Sequence, residues 1–154
     1  MINQSAILQK EFEALKQDLI AKHIELGMPA SGNWERSLVV EVQRLKATIH
    51  GAPYTEQLVN GREPGKFPPI AAIRQWILDK PIPFVGKIKL SSLAFLIARK
   101  IAKEGTKYFK QGGTDLVEAV ITPERVQSII DQVSEFYIDS FTTEITGFLK
   151  KMAA

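Results

Sequence analysis

Apolar residues recur at helical spacing at the start of the chain. Leu8, Phe12, Leu15, Leu19 and Leu26 lie at offsets of 4, 7, 11 and 18 from the first. At about 3.6 residues per turn these fall on one stripe, while Lys10, Glu13, Lys16 and Lys22 fall mostly elsewhere. The pattern predicts an amphipathic helix, stopped by Gly27 and Pro29. The period then changes. Between Trp34 and Gln43, Leu38, Val40 and Val42 alternate with Ser37, Val39, Glu41 and Gln43, which predicts a strand over that stretch. A second extended run at Leu45–Ile49 follows at once, so the two should form an antiparallel hairpin even without an Asn-Gly turn.

His50–Pro69 is rich in glycine and proline and reads as loop around at most two helical turns at Tyr54–Val59. Pro68 and Pro69 suit the opening of a short helix with Ile70, Ile73, Trp76 and Ile77 on its apolar face, and Pro81 and Pro83 should end it. Ser91 or Ser92 is the expected cap of the next helix, which turns Leu93, Leu96, Ile97 and Ile101 inward. On another face of that helix Lys103, Lys107 and Lys110 follow Arg99 at offsets of 4, 8 and 11, with Lys100 beside them. Gln111–Thr114 reads as a turn, and the β-branched run Leu116–Ile121 as a third strand. Thr122, Pro123 and Arg125 make a helix start. The last helix should run from Pro123 to about Lys150, roughly 40 Å. Its apolar stripe is Val126, Ile129, Ile130, Val133, Tyr137, Phe141, Ile145 and Phe148, widened by Phe136 and Leu149.

These elements predict an α+β fold, with a small antiparallel sheet of about three strands packed with an N-terminal helix, two middle helices and a long C-terminal helix. A chain of 154 residues suits a single domain, here an α+β core at 5–122 and the long helix at 123–151. With 45% hydrophobic and 24% charged residues the composition is that of an ordinary globular protein and excludes a disordered chain. Zero cysteines exclude disulfides and thiolate chemistry and suit synthesis in a reducing cytoplasm. No apolar run approaches a bilayer span, and the N-terminus is too acidic for a secretory signal, so the mature chain is expected to begin at Met1.

Charge is segregated along the chain. Met1–Gly61 carries 6 basic and 7 acidic side chains, Arg62–Lys110 carries 11 and 3, and the remainder 3 and 7, so the parts stand at −1, +8 and −4. A positive middle and a negative end suggest complementarity, within the fold or between copies.

Catalytic chemistry has few candidates. His23 and His50 are the only histidines, neither at metal-ligand spacing from a second ligand, and both read as surface or edge residues. Gly61, Gly65 and Lys66 superficially suggest a phosphate loop but lack its spacing and the following Ser/Thr. The expectation is therefore a non-enzymatic protein without catalytic residues, cofactor or metal.

The order of elements carries a resemblance. After the amphipathic helix come Pro29, Gly32, Ser37 and Leu38 at the approach to the hairpin, and then Tyr54, Gly61, Arg62, Pro64, Gly65, Lys66, Pro68 and Pro69. Ile73, Trp76 and Ile77 follow, then the run from Leu93 to Gly105. Over Ser5–Gly105 this succession resembles phage tail-component proteins, the tail-completion or head-to-tail joining (neck) proteins of tailed bacteriophages and prophages. The long helix after Pro123 departs from a compact subunit of that kind and leaves a tail-terminator or connector-ring role open.

The resemblance implies a structural virion protein, made in the bacterial cytoplasm and located at the head-tail junction. It implies a closed homo-oligomeric ring of six or twelve copies that joins tail to head. Its partners would be its own copies and other neck, portal-adaptor or tail proteins, with DNA passing through the ring as a further contact and no membrane. A ring repeats one heterologous interface and so needs two complementary patches on each subunit. The candidate inter-subunit contacts are Gly61, Arg62, Pro64, Gly65, Lys66, Pro68 and Trp76, together with Phe136, Phe141 and Phe148. A competing expectation is a nucleic-acid-binding module that uses the basic face of Arg99, Lys100, Lys103, Lys107 and Lys110.

Overall fold

Asn3 starts the first helix by accepting a hydrogen bond from Ala6 N at 2.9 Å, which satisfies a donor that the first turn leaves free. The computed structural model describes residues 3–80 and 88–153. Helix α1 spans Gln4–Glu25 and buries Leu8, Leu15, Leu19 and His23 along one stripe. It ends at the predicted place through its backbone. Gly27 takes φ 67°, so that its N–H reaches Ile24 O at 3.0 Å while Met28 N reaches His23 O at 3.2 Å. This paired closure is a Schellman motif, and it folds Met28 back into the core.

The extended reading of Trp34–Gln43 is corrected over its first half. Asn33–Ser37 is a helical turn, α2. Gly32 precedes it at φ 79°, and Ser37 Oγ donates to Trp34 O at 2.6 Å within it. The turn lets Trp34 stack on His23 of α1 with ring centroids 4.3 Å apart and donate through Nε1 to Thr55 Oγ1 at 2.9 Å. The hairpin follows as expected. Strands β1 (Val39–Gln43) and β2 (Lys46–His50) pair antiparallel, with Val42 opposite Ala47 and Val40 opposite Ile49. The alternation holds, as Val40, Val42, Ala47 and Ile49 are partly covered while Val39, Glu41 and Gln43 are exposed. The hairpin packs on α1. Its two-residue turn places Arg44 at φ 52°, the left-handed conformation such turns require.

Helix α3 (Thr55–Asn60) lies where two turns were expected, and α4 spans Ile70–Asp79. The proposed stops Pro81 and Pro83 lie outside the described residues. Helix α5 spans Leu90–Glu104; Lys89 precedes it without a side-chain cap, so Ser91 and Ser92 are internal to the helix and not its cap. Its buried positions are Ala94 and Ala98, it packs on α4, whose buried residue is Ile77, and Leu96 is 49% exposed where an inward position was expected. Alanines let two helices approach closely, so the larger Phe95 and Leu96 are left on the outside.

Gly105, at φ 80°, breaks the helix, and Lys107–Lys110 forms a separate short α6 capped by Thr106. The row Arg99, Lys103, Lys107 and Lys110 is therefore not one helical face. Leu116–Ile121 is likewise not a strand. It coils through Ala119 N to Asp115 O at 2.9 Å and Ile121 N to Val117 O at 2.8 Å. Leu116 and Val120, four apart, both enter the core. That is helical spacing, whereas a strand would put alternate residues inward. Among the described residues the sheet has two strands, and the fold is α+β.

Helix α7 spans Pro123–Ala153 and starts with Thr122 Oγ1 accepting from Arg125 N at 3.2 Å. At 31 residues it extends roughly 46 Å. Its first half packs on α1, where Ile129 joins Leu8, Leu15, Leu19, Met28, Trp34, Leu38, Leu116 and Val120 in the core, and Arg125 pairs with Asp18 at 2.6 Å.

Candidate assembly surface

The two halves of α7 present different faces. Ile129 is buried and Val133 and Phe136 are half-covered, all on the side turned to the body. From Tyr137 to Ala153 every residue is exposed, although Ile138, Phe141, Ile145, Phe148 and Met152 continue at spacings of 3, 4, 3 and 4. That spacing is the seam of a helix packed against another helix. At about 100° per residue this seam is turned roughly 130° from the stripe that the first half buries. It is not a frayed continuation of the core contact. Phe141 is 65% and Phe148 60% exposed, so two of the three aromatic candidate contacts on this helix are open to solvent. Phe136 differs: it is half-buried, with its ring edge-on to Tyr137 at 5.8 Å.

The Gly61–Pro69 loop is a strap over α5 and α6. Gly61 takes φ 77°, and a Cβ on it would overlap the backbone of Phe109. Arg62 N donates to Thr106 Oγ1 at 2.9 Å, Thr106 N returns a bond to Arg62 O at 3.0 Å, and Gly65 N donates to Ala102 O at 2.8 Å. Gly61 and Arg62 are thus tied into the subunit and partly covered, and Pro68 is buried, so these three are framework positions. Pro64, Gly65 and Lys66 are exposed at the crest, and Trp76 is exposed on α4 beside Lys80, whose Nζ lies 5.7 Å from its ring.

Past the crest, Phe67 leans on Phe95 of α5 with centroids 5.9 Å apart. Phe95, Leu96, Arg99 and Lys103 share the outward side of α5, opposite Ala94 and Ala98. Loop and helix together make one patch with apolar rings at its centre and Lys66, Arg99 and Lys103 as its cations. Lys100, one turn after Leu96, is also exposed at the edge of this side. Lys107 and Lys110 belong to α6, and Lys110 Nζ lies 3.2 Å from Glu104 Oε2. That bond is the main reason the Glu104 carboxyl is held below its ordinary range. Phe67 and Phe95 escaped the sequence reading, although the i, i+4 spacing of Phe95 and Arg99 was a usable signal.

His50 is an exposed edge residue as expected, its Nε2 2.8 Å from Glu41 Oε2. His23 corrects the surface assignment, being 2% exposed between Trp34 and Glu35. Burial lowers its pKa against the opposing pull of Glu35, whose Oε1 lies 2.9 Å from Nδ1 without a well-formed hydrogen bond. The two hollows along α7, one at Pro123–Glu135 and one at Phe136–Glu144, are each lined by that single helix and so enclose nothing. Among the described residues there is no cluster of three metal-ligating side chains and no helix long and apolar enough to cross a membrane. A scan against protein-family models, a search of curated proteins and a search of solved structures each return no match.

Proposed function

We propose that this chain is a structural subunit of a tailed phage particle, a neck or tail-completion protein that works by docking to copies of itself in a ring at the head-tail junction. The observation that carries this reading is the second half of α7, an apolar helical seam that the subunit leaves in water. An amphipathic helix gains most of its stability by burying its apolar face, and a contiguous exposed apolar stripe of this kind marks an interaction surface. The resemblance of Ser5–Gly105 to head-tail joining proteins supplies the setting, and a tail-terminator or connector ring fits the same surface. The reading needs no catalytic residue, cofactor or metal.

Cryo-electron microscopy of assembled virions tests the proposal, with a symmetric ring of this chain expected between head and tail. Finding it scattered over the capsid, ejected with the DNA or absent from the particle would sink the idea. Phe141→Asp places a charge where only assembly removes water, and it should abolish incorporation while changing the subunit's stability by less than about 1 kcal/mol.

A further inference from the structure

We infer that the α7 seam of one subunit seats on the loop–α5 patch of the next, so that each copy offers a helix on one side and a receiving face on the other. This rests on the reading that the chain assembles with itself, and it names the two surfaces that meet. Both surfaces are open in the subunit. The donor is Ile138, Phe141, Ile145 and Phe148, exposed along α7. The receiver is Phe67, Phe95 and Leu96, with the two rings tilted against each other at 5.9 Å as one apolar platform.

Charge selects this pairing over others. From Asp131 to Leu149, α7 carries Asp131, Glu135, Asp139 and Glu144 and no Lys or Arg. On the wheel Asp131 and Glu135 flank the seam on one side and Glu144 on the other. The stretch from Lys89 to Lys103 carries Lys89, Arg99, Lys100 and Lys103 and no Asp or Glu. Docking α7 on α5 brings the acidic flanks to Arg99, Lys103 and the Lys66 crest around a desolvated apolar centre. Two α7 seams side by side would instead set carboxylates against carboxylates, apart from Lys150 and Lys151 at the end.

The lengths agree as well. The free part of α7 covers roughly 25 Å and α5 roughly 22 Å. Because donor and receiver are different surfaces, the contact is head-to-tail, the kind that closes into a ring when its rotation divides a full turn.

The chain contains no cysteine, so introduced thiols report the contact cleanly. Ile145→Cys combined with Leu96→Cys in one chain, oxidised with copper phenanthroline, should give a ladder of covalent dimers, trimers and larger species, while either single substitution gives none. Adding Glu144→Lys should reduce the ladder at least several-fold, and further adding Lys103→Glu should restore it. Native mass spectrometry of the unmodified chain is run in parallel. Unmodified oligomers with no ladder would overturn this contact and leave the self-assembly reading standing. Dimers from Ile145→Cys alone would overturn it in favour of α7 pairing with α7. A monomer at every concentration together with no ladder would overturn both.

Discussion

Gly61 has no side chain because none fits. Its φ of 77° strains any other residue, and the backbone of Phe109 occupies the place a Cβ would take. Backbone does not move aside as a flexible side-chain end does, so Gly61→Ala should destabilise by more than about 2 kcal/mol, read as a lower denaturant midpoint. Gly65→Ala should also be strained at φ 131°, but it meets no atom and should cost less. His23 sets a different test. Its folded pKa lies below the ordinary 6.5 because burial disfavours the imidazolium, while the unfolded chain titrates normally. The unfolded state therefore binds more protons as pH falls, so stability is full above about pH 6.5 and declines below it, until the folded form is protonated too. His23→Gln should flatten this slope between about pH 6.5 and 5 in thermal melts. An unchanged slope would assign the acid sensitivity to other groups.

At the scale of elements, α7 is one helix with two environments. The first half is held by Ile129 in the core and by Arg125 on Asp18; the second half touches nothing else in the described subunit that buries it. Removing residues 138–154 should therefore leave the melting temperature of the subunit within a few degrees of the full chain, and circular dichroism should lose only the helix deleted. Self-association should vanish. A collapse of stability on truncation would mean that the second half serves folding, contrary to the exposure of Phe141 and Phe148. The loop strap shows the opposite economy. Gly61, Arg62 and Gly65 make their backbone bonds inside the subunit, which holds Lys66 and Phe67 in one shape, so the proposed docking should cost less entropy than with a free loop.

For the whole molecule, the division of charge into −1, +8 and −4 along the chain becomes a division between surfaces: cations on the loop and α5, carboxylates on α7. A purely electrostatic attraction of the cationic side to duplex DNA is screened as the Debye length shrinks, from about 10 Å at 0.1 M salt. Filter binding to DNA should accordingly be weak, indifferent to sequence and lost by about 0.2 M salt. Tight, sequence-selective binding at that salt would favour the nucleic-acid-binding alternative, although Gly105 divides its basic row and Glu104 pairs with Lys110. Assembly itself should survive higher salt than DNA binding, since its centre is apolar and salt does not screen the removal of Phe141 and Phe148 from water.

The amphipathic period of α1, the alternation through Leu38, Val40 and Val42, the stop at Gly27 and the cap at Thr122 were all legible in the chain, because each depends on neighbours within a few residues. Other features required partners distant in sequence. Trp34 turns helical because Gly32 bends the chain and His23 of α1 offers a ring to stack on. Leu116–Ile121 has the side chains of a strand but, among the described residues, no strand beside it, and the core takes Leu116 and Val120 from the same side of a coil. In α5 apolar residues stand on several faces, and only the approach of α4 made Ala94 and Ala98 the inner one and left Phe95 and Leu96 outside. The stripe on α7 was visible as spacing, yet spacing cannot say how far a body extends. Tertiary structure decided that, because α1 and the core around Leu116 and Val120 reach only the first half of the helix, and every described residue from Tyr137 onward stays exposed to water.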